Sequence, residues 1–260
     1  MSQEIRIEFT RFSAFYSPLI AALVQSAPSQ GLTALEQGKT PPALHFAQIN
    51  ERDGFFLVGR APDRAFSWDQ LRGKRILIDH GMQPMAMFKY ACFKRGLEFG
   101  RITAVDAGPT EQMIAAFRRG EGDFVHLQGP APQALEQEGA GHIVAALGDA
   151  IGPCAFSSLA ATLEWLATDM AKRFMAAYRR ARAWLIETPA AEVARVEASF
   201  FPDVPPAVLT ATIARYQRLG NWTPHVEITW PAWDATVDIF LHAGLITRRH
   251  RYEDVIAPPP

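Results

Sequence analysis

The feature that most constrains the fold is the segment 76–89, which predicts a buried strand, a tight turn and a helix in direct succession. The run 76–78 is apolar and follows two basic residues. Gly81 allows the backbone of a sharp turn, and Pro84 suits the first turn of a helix. A helix that begins in this way has N–H groups without intrahelical partners, which attract anions and polar ligand groups. The segment therefore predicts an α/β protein that holds a ligand.

The composition is that of an ordinary globular protein and excludes several function classes. The chain has 260 residues, 48% hydrophobic and 20% charged, with a formal net charge of -1. This length allows one large domain or two lobes. The charge balance gives no reason to expect nucleic acid as a partner. Cys92 and Cys154 have no CxxC partner, which disfavours structural zinc and leaves a single disulfide open. We expect no metal and no cofactor.

The first 24 residues allow two interpretations. The apolar stretch 14–24 has the character of a secretion-signal core. However, Ile5, Ile7 and Phe9 alternate with polar residues, which predicts a strand over 4–10 followed by a helix over 15–23. The sequence as written therefore favours a cytoplasmic location. No apolar run approaches the ~20 residues of a membrane span, so we expect no transmembrane segment.

Strands and helices alternate regularly through the middle of the chain, whereas the last hundred residues are helical. Alternation of this kind indicates a parallel-rich sheet with helices on both faces. The pair Ser157 and Ser158 is interpreted as the cap of a long helix. Strands are predicted over 43–50, 55–59, 76–79, 101–106, 124–127 and 141–146. Helices are predicted over 84–95, 110–119, 130–138, 160–187, 189–199, 205–219 and 231–243.

Five stretches occur in an order that is characteristic of one protein family. They are 73–81, Asp106, 113–123, 219–222 and 240–245. In this order they resemble the solute-binding proteins of ABC importers for sulfonates, nitrate, taurine and thiamine pyrimidine precursors. The resemblance extends from residue 24 through nearly the whole remaining chain.

The resemblance implies a type II periplasmic-binding-protein-like fold, in which two α/β lobes close on a ligand. The first lobe would comprise 1–59 and 148–260, and the second lobe 60–147. The sequence departs from the family pattern after residue 23, where roughly 30 to 40 residues, the size of one βαβ unit, are missing. Such a deletion would remove one strand from the first lobe and expose its neighbours.

Most candidate ligand-binding residues follow the predicted strands 76–79 and 124–127 or lie at their ends, because ligands of wound sheets bind outside the carboxyl ends of the strands. The candidates at 25, 26 and 29 face the same cleft in the arrangement that the resemblance implies, and those at 48 and 50 share one face of a predicted strand. The strand-to-helix turns would offer N–H groups, and Gln128 could form paired hydrogen bonds to an amide or a ring edge. Each position also has a structural interpretation, such as a plain turn, a helix cap or a core residue. The candidates are Gln25, Ser26, Ser29, Gln48, Asn50, His80, Gly81, Met82, Gln83, His126, Gln128 and Gly129.

The resemblance implies a binding protein for a small polar or anionic organic molecule, with the permease subunits of an ABC importer as partners. It also implies a periplasmic location if an export signal is present. One alternative is an enzyme similar to the thiamine-pyrimidine synthases, which consume a lysine-bound pyridoxal phosphate and a histidine of their own with iron. The cysteine-rich motif of those enzymes is absent, and Lys39 lies in a predicted loop. The other alternative is a shortened paralogue that binds no ligand.

Overall fold

The structure is a computed structural model that describes residues 25–260. The predicted strand 4–10, the predicted helix 15–23 and the departure after residue 23 lie outside the described residues. Within the described part the strands are β1 (Gln25–Ser26), β2 (Leu44–Asn50), β3 (Phe55–Gly59), β4 (Arg75–Leu77), β5 (Thr103–Val105), β6 (Phe124–Gln128), β7 (His142–Ala146) and β8 (Ser157–Ala161).

Five helices precede β8 and five follow it, and of these α1 and α5 have no counterpart among the predicted helices. They are α1 (Pro28–Glu36), α2 (Met82–Lys94), α3 (Thr110–Arg118), α4 (Ala131–Gln137), α5 (Leu147–Ile151), α6 (Leu163–Leu166), α7 (Asp169–Glu187), α8 (Ala190–Glu197), α9 (Pro206–Leu219) and α10 (Trp230–His242).

The larger sheet has five strands in the order β5-β4-β6-β3-β7. Strand β4 is parallel to β5 and to β6, whereas β3 is antiparallel to both β6 and β7. The α/β class is confirmed, but the sheet is mixed, with as many antiparallel as parallel pairs. The difference arises because β3 comes directly from the other sheet, without the helical crossover that a parallel neighbour needs.

Helices cover both faces of this sheet because successive residues of a strand point to opposite sides. Ile76 and Ile78 belong to the same apolar cluster as Phe88 of α2. Leu77 between them joins a second cluster with Phe117 of α3. The predicted layering of helices on both faces is therefore confirmed.

The smaller sheet has three antiparallel strands in the order β1-β8-β2. Its central strand corrects the interpretation of Ser157 and Ser158 as a helix cap, since both residues lie in β8. The helix predicted from residue 160 begins instead at Asp169, where Thr168 accepts a hydrogen bond from the Ala171 N–H at 3.2 Å. The apolar residues have helical spacing only from residue 166 onward, because the segment before it forms the short strand β8.

The chain crosses between the two sheets in the segment that joins β2 to β3. Because β3 pairs in the five-stranded sheet, this crossing precedes Phe55, whereas the sequence suggested a boundary after residue 59. Helix α7 is hydrogen-bonded to the end of β2, just before the crossing. The Tyr178 hydroxyl donates to the Gln48 carbonyl at 2.9 Å, and Arg182 donates to the Ile49 carbonyl at 2.9 Å. The core packs on both sides of this connection.

Candidate ligand-binding site

The N-termini of α1 and α2, which flank different sheets, meet at a direct side-chain contact. The Ser29 hydroxyl donates to Gln83 Oε1 at 2.9 Å, and Gln83 Nε2 donates to the Phe156 carbonyl at 2.9 Å. Ser29 is buried and Gln83 is half-buried. The structure thus brings together two residues that the sequence assigned separately to the ligand site. We call this contact the helix junction.

Both helices at the junction begin without a side-chain cap and without an acidic residue in the first turn. In α2 the first intrahelical bond runs from the Met85 N–H to the Gly81 carbonyl, so the N–H groups of Met82 and Gln83 precede it. One carboxylate borders the site, since Asp79 Oδ1 accepts the Gly81 N–H at 2.8 Å. The remaining N–H groups and the aligned helix dipoles favour an anionic group at this place.

The turn before α2 is open to solvent. His80 is exposed, and its Nδ1 lies 2.8 Å from the Ile78 carbonyl. Met82 is 51% exposed, and Thr33 of α1 donates to its sulfur at 3.6 Å. The side chains at the start of α2 are therefore accessible from outside, as a ligand site requires.

Gln128 ends the strand beside β4, so it lies at the same edge of the sheet as the α2 turn. Leu77 of β4 pairs with Val125 of the parallel strand β6. A few residues further along the chain in the same direction, Gly81 follows β4 and Gln128 ends β6. Gln128 is 7% exposed, and neither atom of its side-chain amide has a hydrogen-bond partner among the described residues.

A concavity of about 440 Å³ opens at this edge of the sheet, between the loops of the five-stranded sheet and the start of α9. Its wall is apolar apart from a few polar groups, with two carboxylates among them. Neither Ser29 nor Gln83 lines this concavity, so an anionic group is better placed at the helix junction than beside the two carboxylates. The lining residues are Pro109, Thr110, Glu111, Ile114, Gln128, Gly129, Pro130, Ala131, Ala134, Asp203, Val204, Pro205 and Val208.

Gly129 has a packing role that explains its residue type. Its N–H donates to the Tyr216 hydroxyl at 2.8 Å, and that hydroxyl donates to the Gly54 carbonyl at 3.0 Å. A Cβ at residue 129 would lie 2.8 Å from both Thr212 Cγ2 and the Tyr216 oxygen. Glycine here lets the loop approach α9 closely, which brings the two sides of the concavity together.

His126 lies in the core instead of a loop at the cleft surface. Its ring is fully buried, stacks on Phe55 with centroids 4.4 Å apart and meets Phe88 edge-on at 5.1 Å. Alternate residues of β6 point to the same face of the sheet, and His126 is on the face that α2 covers, where its ring lies between aromatic side chains. The structure therefore separates His126 from the other candidates.

Gln48 and Asn50 are fully buried in β2 and bind different partners. Gln48 Nε2 donates to Thr223 Oγ1 at 2.6 Å, whereas Asn50 Nδ2 donates to Ser157 Oγ at 2.9 Å. The strand has a register shift between the two residues. Such a bulge breaks the strict alternation that the sequence suggested, so the two residues do not act as a pair. The backbone of Gln25 and Ser26, the remaining candidates, forms β1 beside β8.

Two features of the site region were missed by the sequence analysis. The wall formed by Asp203, Val204 and Pro205 comes from a distant helix start, and only Pro205 before α9 gave a signal for it. Asp53 is fully buried in the crossing segment, where its Oδ1 accepts the Phe55 N–H at 2.6 Å. Burial raises the pKa of Asp53 to about 7. An aspartate two residues before an apolar strand gave no hint of this environment.

Cys92 and Cys154 are both buried, and burial raises the pKa of Cys92 to about 12 and that of Cys154 above its usual range. Residues 25–260 contain no group of three His, Cys, Asp or Glu side chains placed to hold a metal ion.

The comparison with protein families decides the relationship. The model of the family described as "NMT1/THI5 like" matches residues 26–192. The chain belongs to this family. The match covers α1, both sheets and the helix junction, so the site lies within the part of the chain that defines the family.

Individual relatives of this NMT1/THI5-like protein agree with the assignment. The "Putative binding protein YtlA" of Bacillus subtilis is 28% identical over 239 residues, which are 90% of this chain and 71% of that protein. The alkanesulfonate-binding protein SsuA from Xanthomonas axonopodis pv. citri, bound to MOPS, has a similar fold. It gives a TM-score of 0.68 at 20% identity, over 90% of this chain and 80% of that chain.

A second solved structure shares the fold at lower identity. The periplasmic aliphatic sulphonate binding protein SsuA from Escherichia coli gives a TM-score of 0.71 at 15% identity, over 91% of this chain and 75% of that chain. These likenesses confirm the two-lobed periplasmic-binding-protein fold. Among the described residues, no helix is both long enough and apolar enough to cross a membrane.

Proposed function

We propose that this chain is the solute-binding component of an ABC-type importer and that it holds a small organic anion between its two lobes. The observation that carries the proposal is the helix junction, where two uncapped helix N-termini from different sheets meet through Ser29 and Gln83 at 2.9 Å. A ligand bound there touches both lobes at once, so its binding energy stabilises their closed arrangement.

The lobes in this proposal follow the sheets. The first lobe contains β1, β2, β8 and the C-terminal helices, and the second extends from Phe55 to Ala146. The twelve candidate residues do not act equally. Ser29, Gly81, Met82, Gln83 and Gln128 contact the ligand, whereas Gln48, Asn50, His126 and Gly129 hold the walls of the cleft.

The family supports a solute of this class. SsuA from Xanthomonas axonopodis is named as an alkanesulfonate-binding protein, and its Escherichia coli counterpart is called periplasmic. A sulfonate presents three acceptor oxygens and one negative charge, which suits backbone N–H groups at helix N-termini. In our proposal the chain acts outside the cytoplasmic membrane, and permease subunits read the closed arrangement of its lobes.

The test uses two ligands that differ mainly in charge. Ethanesulfonate and the neutral ethyl methyl sulfone have nearly the same shape, and calorimetric titration measures the affinity of each. We expect ethanesulfonate to bind at least about tenfold more tightly, because the junction favours the anion. Equal binding of both, or no binding of either, would overturn the proposal.

A variant locates the binding to the junction. Gln83→Leu removes the hydrogen bonds to Ser29 and to the Phe156 carbonyl, and we expect it to weaken ethanesulfonate binding about tenfold. Gln137→Leu, on the exposed end of α4, is the matched control and should keep the affinity of the unmodified protein. If Gln137→Leu has the larger effect, the site lies elsewhere.

A further inference from the structure

The side-chain amide of Gln128 is enclosed by protein but has no hydrogen-bond partner for Nε2 or Oε1 among the described residues. Buried polar groups are almost always paired, so an unpaired amide needs an explanation. The residue is 7% exposed and borders the concavity between the strand ends and α9, but its two amide atoms are enclosed. What the amide can pair with depends on the face of the sheet to which it points.

The direction of the Gln128 side chain follows from the strand. The pairing of β6 with β3 has no register shift, so Phe124, His126 and Gln128 point to one face. His126 on that face contacts Phe88 of α2, with ring centroids 5.1 Å apart. The Gln128 side chain therefore lies on the α2 side of the sheet.

The height of Gln128 along α2 follows from the same contact. Two residues along a strand, from His126 to Gln128, advance about 6.6 Å toward the carboxyl edge of the sheet. Four residues back along the helix, from Phe88 to Pro84, advance about 6 Å in the same direction. Gln128 is therefore level with the first turn of α2, next to the N–H groups that favour an anion.

We propose that Gln128 is a specificity-determining residue and that the solute is an organic anion carrying an amide-like edge, with one donor and one acceptor side by side. The inference rests on the proposed function and names the solute class for the same site. The anionic group binds at the helix junction, and the amide edge pairs with Nε2 and Oε1 of Gln128. An anion with a purely alkyl body leaves both atoms unpaired and binds less tightly.

Two sulfonates of equal chain length test the inference by calorimetric titration. N-acetyltaurine carries an amide two carbons from the sulfonate, and pentane-1-sulfonate replaces that amide by methylene groups. We expect N-acetyltaurine to bind at least about tenfold more tightly, because it alone pairs the buried glutamine. Equal affinities would overturn this inference while leaving anion binding intact, whereas failure of both sulfonates to bind would overturn the proposed function as well.

A pair of matched variants assigns the discrimination to one residue. Gln128→Met keeps the length of the side chain and should reduce the preference to within about twofold. Gln133→Met is the control, since Gln133 of α4 is also buried with an unpaired amide but does not line the concavity. It should keep the preference of the unmodified protein. A preference that survives in Gln128→Met, or that is lost equally in Gln133→Met, contradicts the assignment.

Discussion

Two glutamines buried in strands of the two sheets differ in how their side-chain amides are paired: only the Oε1 of Gln48, but both amide atoms of Gln128, have no partner among the described residues. Gln48 of the three-stranded sheet donates to Thr223 Oγ1 at 2.6 Å and to the His225 carbonyl at 3.3 Å. Gln128 of the five-stranded sheet makes no side-chain hydrogen bond to any described residue. The comparison teaches that a polar residue in a strand contributes to the fold where its partners come from the chain itself. Where they do not, it is available to a ligand.

The same contrast holds for the surroundings of the two residues. Beside Gln48, the guanidinium of Arg182 is fully buried and donates to the carbonyls of Gln48, Ile49 and Thr223 at 3.1, 2.9 and 2.5 Å. Beside Gln128, the first turn of α2 has no cap. The donors of Arg182 are therefore paired within the chain on one side of the crossing, whereas the first N–H groups of α2 are left for a ligand on the other.

The largest expected effect concerns Arg182, beside Gln48. Arg182→Met removes the guanidinium donors of the Ile49 and Thr223 carbonyls, and we expect the free energy of unfolding to fall by about 3–5 kcal/mol. Urea denaturation measures this change. The control is Arg179→Met on the same helix, whose exposed ion pair with Glu227 spans 3.1 Å and should contribute at most about 1 kcal/mol. Similar losses in both variants would break the comparison.

Asp53 in the crossing segment predicts a dependence of stability on pH. Its pKa is raised from 3.8 to about 7 by burial, so the folded protein binds a proton that the unfolded chain has released. Stability from this group is therefore full below pH 4 and is lost as the pH rises to 7, by a few kcal/mol. Asp53→Asn removes the loss.

The measurement is the difference in unfolding free energy between Asp53→Asn and the unmodified protein at pH 5 and at pH 8. We expect the variant to gain stability relative to the unmodified protein as the pH rises. The difference is needed because His45 acts in the opposite direction: burial lowers its pKa to about 3, so its contribution is lost as the pH falls below 6.5. A difference that does not change with pH would contradict a buried Asp53 with a raised pKa.

One substitution placed in both sheets tests the comparison itself. Gln48→Met removes the hydrogen bonds from Nε2 to Thr223 Oγ1 and to the His225 carbonyl, and we expect a loss of about 1–2 kcal/mol in unfolding free energy with ligand affinity within about twofold. Gln128→Met removes a buried amide that has no partner, so its stability should stay unchanged or rise. Both are measured by urea denaturation. The opposite ranking of the two variants would refute the contrast drawn here.

The smallest expected effect concerns charge at the start of α2. Met82→Asp places a carboxylate in the first turn, which should stabilise the helix slightly but weaken ethanesulfonate binding about fivefold through repulsion, about 1 kcal/mol. Met82→Asn introduces a side chain of nearly the same shape as aspartate but without its charge, and this variant should bind ethanesulfonate without that repulsion. The two variants are compared by titration at low salt and at about 1 M salt, where screening should reduce their difference. A difference that does not depend on salt would argue against an electrostatic origin.

The sequence predicted the elements whose signals are local. The apolar run before Gly81, with Pro84 after it, located both β4 and the start of α2. The same reasoning failed where distant partners decide the outcome. Ser157 and Ser158 form a strand because β1 and β2 flank them, and no feature of the adjacent sequence shows those neighbours.

The site was predictable to a similar extent. The strand-end rule brought Gln83 and Gln128 into the candidate list, because it depends only on where a strand stops. Ser29 entered the list through the family resemblance. The rule misplaced His126, because it does not tell which face of β6 the side chain is on, and His126 packs against Phe55 and Phe88 in the core. It also could not foresee that Arg182, more than 130 residues away in sequence, holds the carbonyl of Gln48.

The most direct test of the central claim follows the backbone amides of ¹⁵N-labelled protein during titration with ethanesulfonate. The account predicts that the largest chemical-shift changes occur at the N–H groups of Ser29, Met82 and Gln83, on both helices together. Changes confined to one of these helices, or centred on a distant surface such as the one around Asp254, would contradict an anion held between the two lobes.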